Sequence, residues 1–443
     1  ATLLATGLLA WVALGTGVGA TASGWAATGS LAGLGSGRIW QVAFDPANPA
    51  LAAAATDAGV YLSIDSGESW TLSALRGVGV WTVAFDASTS PSTLYAGLQG
   101  TGGIRVSSDG GATWANDSSG LPNRDVRCIV ASPAGLAAGT DDGVALSQSG
   151  SSWYPSGLTG DSVSALAVVS NPPSAVFFAG IDYPSTRSGY LFELSSSAGT
   201  RWSAVTSGLP GGAVVNEIAA GPPSPATGAN PILVLTSKGA YRSADGGKTW
   251  TASSGLPSGD TLTDATFSPL DPDLVYAGDD AGGSSGGGLW RSTDGGQTFN
   301  GFTQGLPTGH PSGEAPLQEV ESLAVADGAP YPTVLAVVDP YQESATIYRQ
   351  VDATAPSPPA LATASGSVVT LPASAPPTHG GAKAGPQVPR PKPTPAAPTP
   401  LAAQVAGAVF HFPAPLLFEI LLVLLAVFIW YRWKRHYYVS GPP

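Results

Sequence analysis

The eight residues "SADGGKTW" at 243–250 recur as "SSDGGATW" at 107–114, "STDGGQTF" at 292–299 and "SIDSGESW" at 63–70. Glycine in the middle of each copy permits the positive φ of a tight hairpin. The aspartate carboxylate can accept hydrogen bonds from the amides that such a turn leaves over. The closing aromatic is expected to fold under the turn and pack into its own sheet. Each copy follows a short strand that begins with glycine: "GVYLS", "GIRVS", "GAYRS" and "GLWRS". Worn copies stand at 143–153 ("GVALSQSGSSW") and 189–202 ("GYLFELSSSAGTRW"), with Ser149 and Ser197 near the aspartate place. A last one, "ATIYRQVDAT", begins at Ala345.

Outward from the box the repeat grows. Gly-Leu-Pro follows at 120–122, 208–210, 255–257 and 305–307. Then comes a strand-like run: "IWQVAF", "VWTVAF", "VRCIVA", "VSALAV", "VNEIAA", "LTDATF" and "VESLAV". A further short strand reads "TLYAG" at 93–97 and "LVYAG" at 274–278. Four short strands per unit, in seven units, predict an all-β, seven-bladed β-propeller over residues 23–352. A blade cannot bury both faces alone, so the seven must stack around a channel. The last unit lacks its aromatic and its outer strand, whereas "GWAATGSLAGLGSG" (24–37) stands orphaned before the first. This N-terminal strand, led by Trp25, is expected to complete blade seven and clasp the ring, hiding strand edges that invite association.

The box resembles the Asp-box, or BNR repeat, of sialidases, sortilin-type receptors, some xyloglucanases and the photosystem II stability/assembly factors. Over Gly24–Asp352 the chain is most similar to the last group, with boxes such as "GAYRSADGGKTW" (239–250) and the Gly-Leu-Pro linkers. That resemblance implies a non-enzymatic, extracytoplasmic platform that assists or stabilises a membrane complex. A residue repeated in four blades is not four active sites, so Asp65, Asp109, Asp245 and Asp294 read as structural, as do Trp70, Trp114, Trp250 and Phe299. Two departures withhold a photosystem client: the acidic ring, where that family's interaction surface uses arginines, and an apolar C-terminal segment.

That segment, 406–434, is predicted to be a transmembrane helix. The stretch Pro413–Trp433 would rise about 31 Å at 1.5 Å per residue, which matches a bilayer core. Trp430, Tyr431 and Trp433 form an aromatic belt, and Arg432, Lys434 and Arg435 follow. Positive flanks stay in the cytoplasm, so 435–443 reads as a short cytoplasmic tail. The propeller is then expected on the extracytoplasmic side of a plasma membrane. Residues 1–22 are apolar and uncharged, a signal peptide or a retained N-terminal membrane helix. Residues 353–405 form a Pro/Ala-rich linker of polyproline character. Glu419 lies inside the predicted membrane helix, where a carboxylate is costly, and is expected to contact a neighbouring membrane subunit.

Charge narrows the function classes. The net charge is −12, and between Trp25 and Asp352 there are 29 acidic against 12 basic residues. That balance argues against a nucleic-acid partner. Cys128 is the lone cysteine, and His310, His379, His411 and His436 are far apart in sequence, so neither a disulfide, a metal site nor a cofactor is expected. P-loop and HExxH motifs are missing, and Arg38 in "SGRIW" is the only hint of the arginine triad that sialidases use. No catalytic residue is assigned, and Cys128 reads as a small core residue.

Propeller sites usually sit at the channel mouth, on the starts of the inner strands. Those positions hold Trp40/Gln41, Trp81/Thr82, Arg127/Cys128, Ser164/Ala165, Asn216/Glu217, Thr263/Asp264 and Glu321/Ser322. Trp40, Trp81, Arg127, Glu217, Asp264 and Glu321 are therefore the candidate binding residues. The leading expectation is a membrane-tethered scaffold, assembly or stabilising subunit whose partners are other membrane proteins. The rival is a surface glycan-binding or glycoside-hydrolysing propeller, with the tryptophans as sugar platforms and Glu217, Asp264 and Glu321 as carboxylates. A sortilin-like peptide receptor is the third. Residue types alone name no small-molecule or glycan ligand.

Overall fold

Each sequence unit folds into a four-stranded antiparallel meander. The computed structural model describes residues 24–356 apart from 36, 149, 151, 172–173, 183–189, 196–200, 258–260, 281–287, 307–317, 329 and 341–344. Residues 1–22, the linker from 357 onward, the 406–434 segment with Glu419, the 435–443 tail, Ser149 and Ser197 lie outside the described residues. Among the described residues no helix is long and apolar enough to cross a membrane.

The seven sheets make a seven-bladed β-propeller. The inner strands are Ile39–Asp45, Val80–Asp86, Val126–Ser132, Val163–Asn171, Val215–Ala220, Leu262–Phe267 and Gln318–Ala326, in blades one to seven. Six blades run through the chain in order. The seventh takes its outermost strand from the N-terminus, Ala26–Ala27, which pairs with Arg349 and Tyr348. The ring is thus closed by joining the two ends of the repeat.

The "SxDGG" turns sit between the third and fourth strands, as their glycines and hydroxyls dictate. In blade five Ser243 Oγ donates to Asp245 Oδ1 (2.7 Å) and accepts from the Gly247 amide (2.8 Å). Asp245 in turn takes the Thr249 amide (2.9 Å) and hydroxyl (2.6 Å). Asp65, Asp109 and Asp294 make the same bonds to Ser69, Thr113 and Thr298. The Thr113 hydroxyl and amide hold Asp109 at about 2, and at Asp245 the bonds from Thr249 outweigh burial to reach the same value. In blade one Ser66 replaces the first glycine and adopts its left-handed conformation (φ 58°).

Packing lies between blades rather than within them. Among the described residues there are seven apolar clusters, one at each seam, and each includes one aromatic from a box or its equivalent: Trp70, Trp114, Trp153, Trp202, Trp250, Phe299 and Trp25. The box aromatic therefore crosses to the preceding blade instead of folding into its own sheet. The Gly-Leu-Pro glycine explains itself here. A Cβ on Gly120, Gly255 or Gly305 would strike the backbone of the next blade's aromatic, at Trp153, Phe299 and Trp25 respectively (1.8, 2.1 and 2.8 Å). Trp25 fills the same slot as the other six, and its indole N–H donates to the Phe302 carbonyl (3.0 Å). Ala355 is buried in that same seam, so the packed ring continues past Asp352.

Removing Trp25 deletes the seventh seam's aromatic and loosens the only blade built from both chain ends. Trp25→Ala is expected to cost about 3–5 kcal/mol, as for other buried aromatics truncated to alanine. Chemical denaturation of the two proteins measures it, and a loss below about 1 kcal/mol would contradict the clasp.

Candidate functional site

Seven inner strands placed around a channel present their unpaired edges to it. An edge amide buried without a partner is costly, so something must answer these groups. The answer is a β-bulge. In every blade the pairing of the inner strand slips near its start, just after one apolar residue, for example between Ile39 and Gln41 and between Val215 and Glu217. That residue is buried in all seven: Ile39, Val80, Val126, Val163, Val215 and Leu262 open their strands, and Val320 is the third residue of its own. A bulge re-aims the residues beside it, here the pairs expected at the mouth.

Those pairs stitch one blade to the next. Gln41 Oε1 accepts from the Val83 amide (2.8 Å), Asp264 Oδ2 from the Leu323 amide (2.7 Å), and Ser322 Oγ from the Val42 amide (3.2 Å). Cys128 Sγ, Asn216 Nδ2 (2.9 Å) and Thr263 Oγ1 donate to the carbonyls of Val163, Leu262 and Val320 on the following blade. Burial pushes the Cys128 thiol far up, with the Glu217 charge adding to it, so this sulfur is no nucleophile at neutral pH.

All six candidate residues line one cavity of about 510 Å³ in the channel. They divide into two layers. At the rim, Trp40 and Trp81 meet edge-on, with ring centroids 4.4 Å apart. Arg38 lies over Trp40 (4.7 Å) and Arg127 over Trp81 (5.2 Å). The indole N–H groups donate to Asp57 and Asp125, both at 2.7 Å. Arg38 pairs with Glu321 and lies 3.4 Å from Asp339, and Arg127 pairs with Asp141 (2.9 Å). The rim is thus a ladder of cation, indole, indole and cation, buttressed by carboxylates on both sides.

Sequence reading missed most of those carboxylates. Asp57, Gln99, Asp141, Asp182, Ser237 and Asp280 occupy one equivalent place, each donating its amide to the residue before an inner strand's first apolar position. Asp339, opposite Glu319, takes that place in blade seven. The signal was present as "TDAG" at 56–59, "TDDG" at 140–143 and "TSKG" at 236–239. In each, the threonine hydroxyl donates to the glycine carbonyl (2.8, 2.9 and 2.7 Å) and fixes the hairpin that carries the next residue to the rim.

Deeper in, Glu217 and Asp264 share the channel on adjacent blades, half-buried and facing each other's charge. Burial, then the Asp264 charge, lifts the Glu217 carboxyl well above its usual range. Burial also lifts Asp264 to about 6, against the opposing bonds from the Leu323 amide and Ser322 hydroxyl. At the rim, burial and the Glu321 charge raise Glu319 to about 7. Among the described residues no group of His, Cys, Asp and Glu has the geometry to hold a metal ion.

No family model and no curated protein matches the chain. Solved structures do. A GH74 xyloglucanase from Xanthomonas campestris superimposes with a TM-score of 0.56 at 18% identity, over 74% of this chain and 54% of the enzyme. This chain therefore spans about half of that enzyme's length. YCF48 from Cyanidioschyzon merolae gives 0.52 at 15% identity, over 74% of this chain and 98% of YCF48. YCF48 bound to a D1 peptide gives 0.50 at 14%, over 74% and 96%. Likeness at such identity carries the propeller fold.

The raised carboxylates fix a sign for pH dependence. The folded ring holds protons on Glu217, Asp264 and Glu319 at a pH where the unfolded chain has released them, so stability falls as pH rises from about 4 through about 7. The turn aspartates work the other way, but only below about pH 4. The melting temperature is expected to be a few degrees higher at about pH 5.5 than at about pH 7.5. Glu217→Gln should flatten that difference; an unchanged slope would mean that this carboxyl titrates normally.

Proposed function

We propose that the protein is a membrane-anchored, extracytoplasmic propeller that works without catalysis, as a scaffold or stabilising subunit of a membrane protein complex, and that it meets its partner at the channel mouth. One observation carries this reading: the rim tryptophans are already engaged. Arg38 lies over Trp40 and Arg127 over Trp81, the two rings meet edge-on, and their indole N–H groups are bonded to Asp57 and Asp125. A sugar platform needs an open indole face, whereas a rigid, charged rim suits a protein surface. A YCF48 structure, similar in fold, holds a peptide. The membrane anchor and the extracytoplasmic placement rest on the apolar 406–434 segment and its basic flank, and Glu419 is proposed to meet the partner within the bilayer.

A glycan-active propeller is the second reading, favoured by the carboxylates Glu217 and Asp264, both raised by burial inside one cavity. One of them would stay protonated as a general acid.

Affinity capture of the full chain from native membranes in mild detergent, followed by mass spectrometry, separates the two. Wild type is expected to retain membrane proteins, and the double variant Asp57→Lys, Asp141→Lys is expected to lose them. A lone, monodisperse protein would sink the scaffold reading, and polysaccharide hydrolysis abolished by Glu217→Gln would replace it with the second.

A further inference from the structure

The inner-strand edges need neutral acceptors, and Gln41 and Ser322 show that an amide or a hydroxyl suffices. Among the described residues Glu217 answers no edge of the next blade. Its one backbone bond is to the amide of Ile218, its own neighbour in sequence. A half-buried carboxylate that the ring does not require faces another, Asp264, in the same cavity. Two unpartnered hydroxyls line that cavity as well. Thr82 is only 2% exposed, and neither its Oγ1 nor Ser164 Oγ finds a hydrogen-bond partner.

The surroundings of the pair come from every inner strand. Blades one, two and four face it with uncharged Gln41, Thr82 and Ser164, and two further carboxylates, Asp45 bonded by Ser92 and Asp327 bonded by Ser268, line the same cavity. Blade three adds Cys128, held protonated, and Arg127, committed to Asp141. Blade seven adds Ser322, and Glu321, paired with Arg38. No cation therefore reaches Glu217 and Asp264 among the described residues. Above them the rim carries Asp57, Asp125, Asp141, Asp182, Asp280, Glu319, Glu321 and Asp339, with Arg38 and Arg127 as the cations among them. Lys238, on the flank, is held by the Gly211 carbonyl (2.6 Å), and exposed Arg124 lies beside Asp125.

We propose that the channel is a receptor for a lysine or arginine side chain presented by an extended, basic segment of the partner protein. The cation enters past Trp40 and Trp81 and lodges against Glu217 and Asp264, with the hydroxyls of Thr82 and Ser164 as further acceptors. The rim carboxylates engage basic residues on either side of the inserted one. This deepens the scaffold reading and rests on it for the identity of the ligand as a protein. Insertion of a cation favours the ionised pair, so binding releases a proton where the empty pair would keep it.

Titration calorimetry on the full chain in detergent, with capped hexalysine, capped hexaglutamate and spermine as probes, tests this. Hexalysine is expected to bind and hexaglutamate not. Glu217→Gln and Asp264→Asn should each weaken hexalysine about tenfold or more, as for a buried charge pair losing one member. Near pH 6, heats measured in two buffers of different ionisation enthalpy should show proton release in wild type and less in Glu217→Gln. Should either carboxamide variant fold poorly, Thr82→Val, nearly isosteric, is expected to weaken binding by a smaller factor. Hexalysine affinity unaffected by all three substitutions would overturn the channel site, and spermine binding as tightly as the peptide would overturn the protein segment as occupant. If hexalysine binding fails while membrane proteins are still captured, only this inference falls; if hexalysine binds through Glu217 but nothing is captured, the scaffold reading falls instead.

Discussion

A ring of sheets set edge-inward has to satisfy seven rows of backbone groups that no eighth sheet can reach. In this molecule the solution is a bulge at the start of each inner strand, which turns two successive side chains toward the channel and the neighbouring blade. Much of the channel lining follows from that constraint. Polar side chains gather there because edge amides and carbonyls call for partners, and the apolar residue just before each pair is buried because it roots the bulge in the seam.

The outer part of the ring obeys a different rule. There the serine–aspartate turn satisfies its own amides locally, which leaves the aromatic at its end available to leave the sheet and fill the seam with the blade before. The Gly-Leu-Pro stretch gives that aromatic room, since a side chain at the glycine would collide with it. Closure uses the same parts. Trp25 is the seventh aromatic, Gly305 is its glycine, and the Ala26–Ala27 strand is the missing edge. Ring closure is therefore not an added device but the repeat completed across the chain termini, and it couples the stability of the first and last blades. Arg349 reinforces the joint by donating to the Ser66 carbonyl (3.0 Å) in blade one.

Blade number, turn placement and the N-terminal clasp were legible in the sequence because each depends on a local signal repeated at fixed spacing: Ser-x-Asp, paired glycines, an aromatic, Gly-Leu-Pro. The direction in which the aromatic packs was not. Whether Trp250 folds into its own sheet or crosses to Phe178 of the blade before depends on how sheets stack (ring centroids 6.3 Å apart), and no residue in the turn encodes that. At the channel, strand starts disclosed Trp40, Trp81, Arg127, Glu217, Asp264 and Glu321 as one lining. Their partition into rim and depth was hidden, because a bulge sends adjacent residues to different surroundings. Asp57 and Asp141 went unread although Thr-Asp-x-Gly repeats, since that hairpin looks like any tight turn until the ring brings its tips together.

The two sets of carboxylates also differ in what they owe to the fold. Asp65, Asp109, Asp245 and Asp294 are bonded on every side by their own turns, and those bonds favour ionisation. Asp264 serves the Leu323 amide, but a hydroxyl at the equivalent place does the same for Val42 without the burden of a buried charge. Among the described residues Glu217 serves nothing on the next blade. Burying a carboxylate where asparagine or serine would satisfy the same geometry destabilises the ring, and the cost rises with a second carboxylate opposite. A fold selected for stability alone would place neutral acceptors at both positions, as it does at Gln41 and Ser322. That excess of charge over structural need is the feature on which the proposed cation site rests.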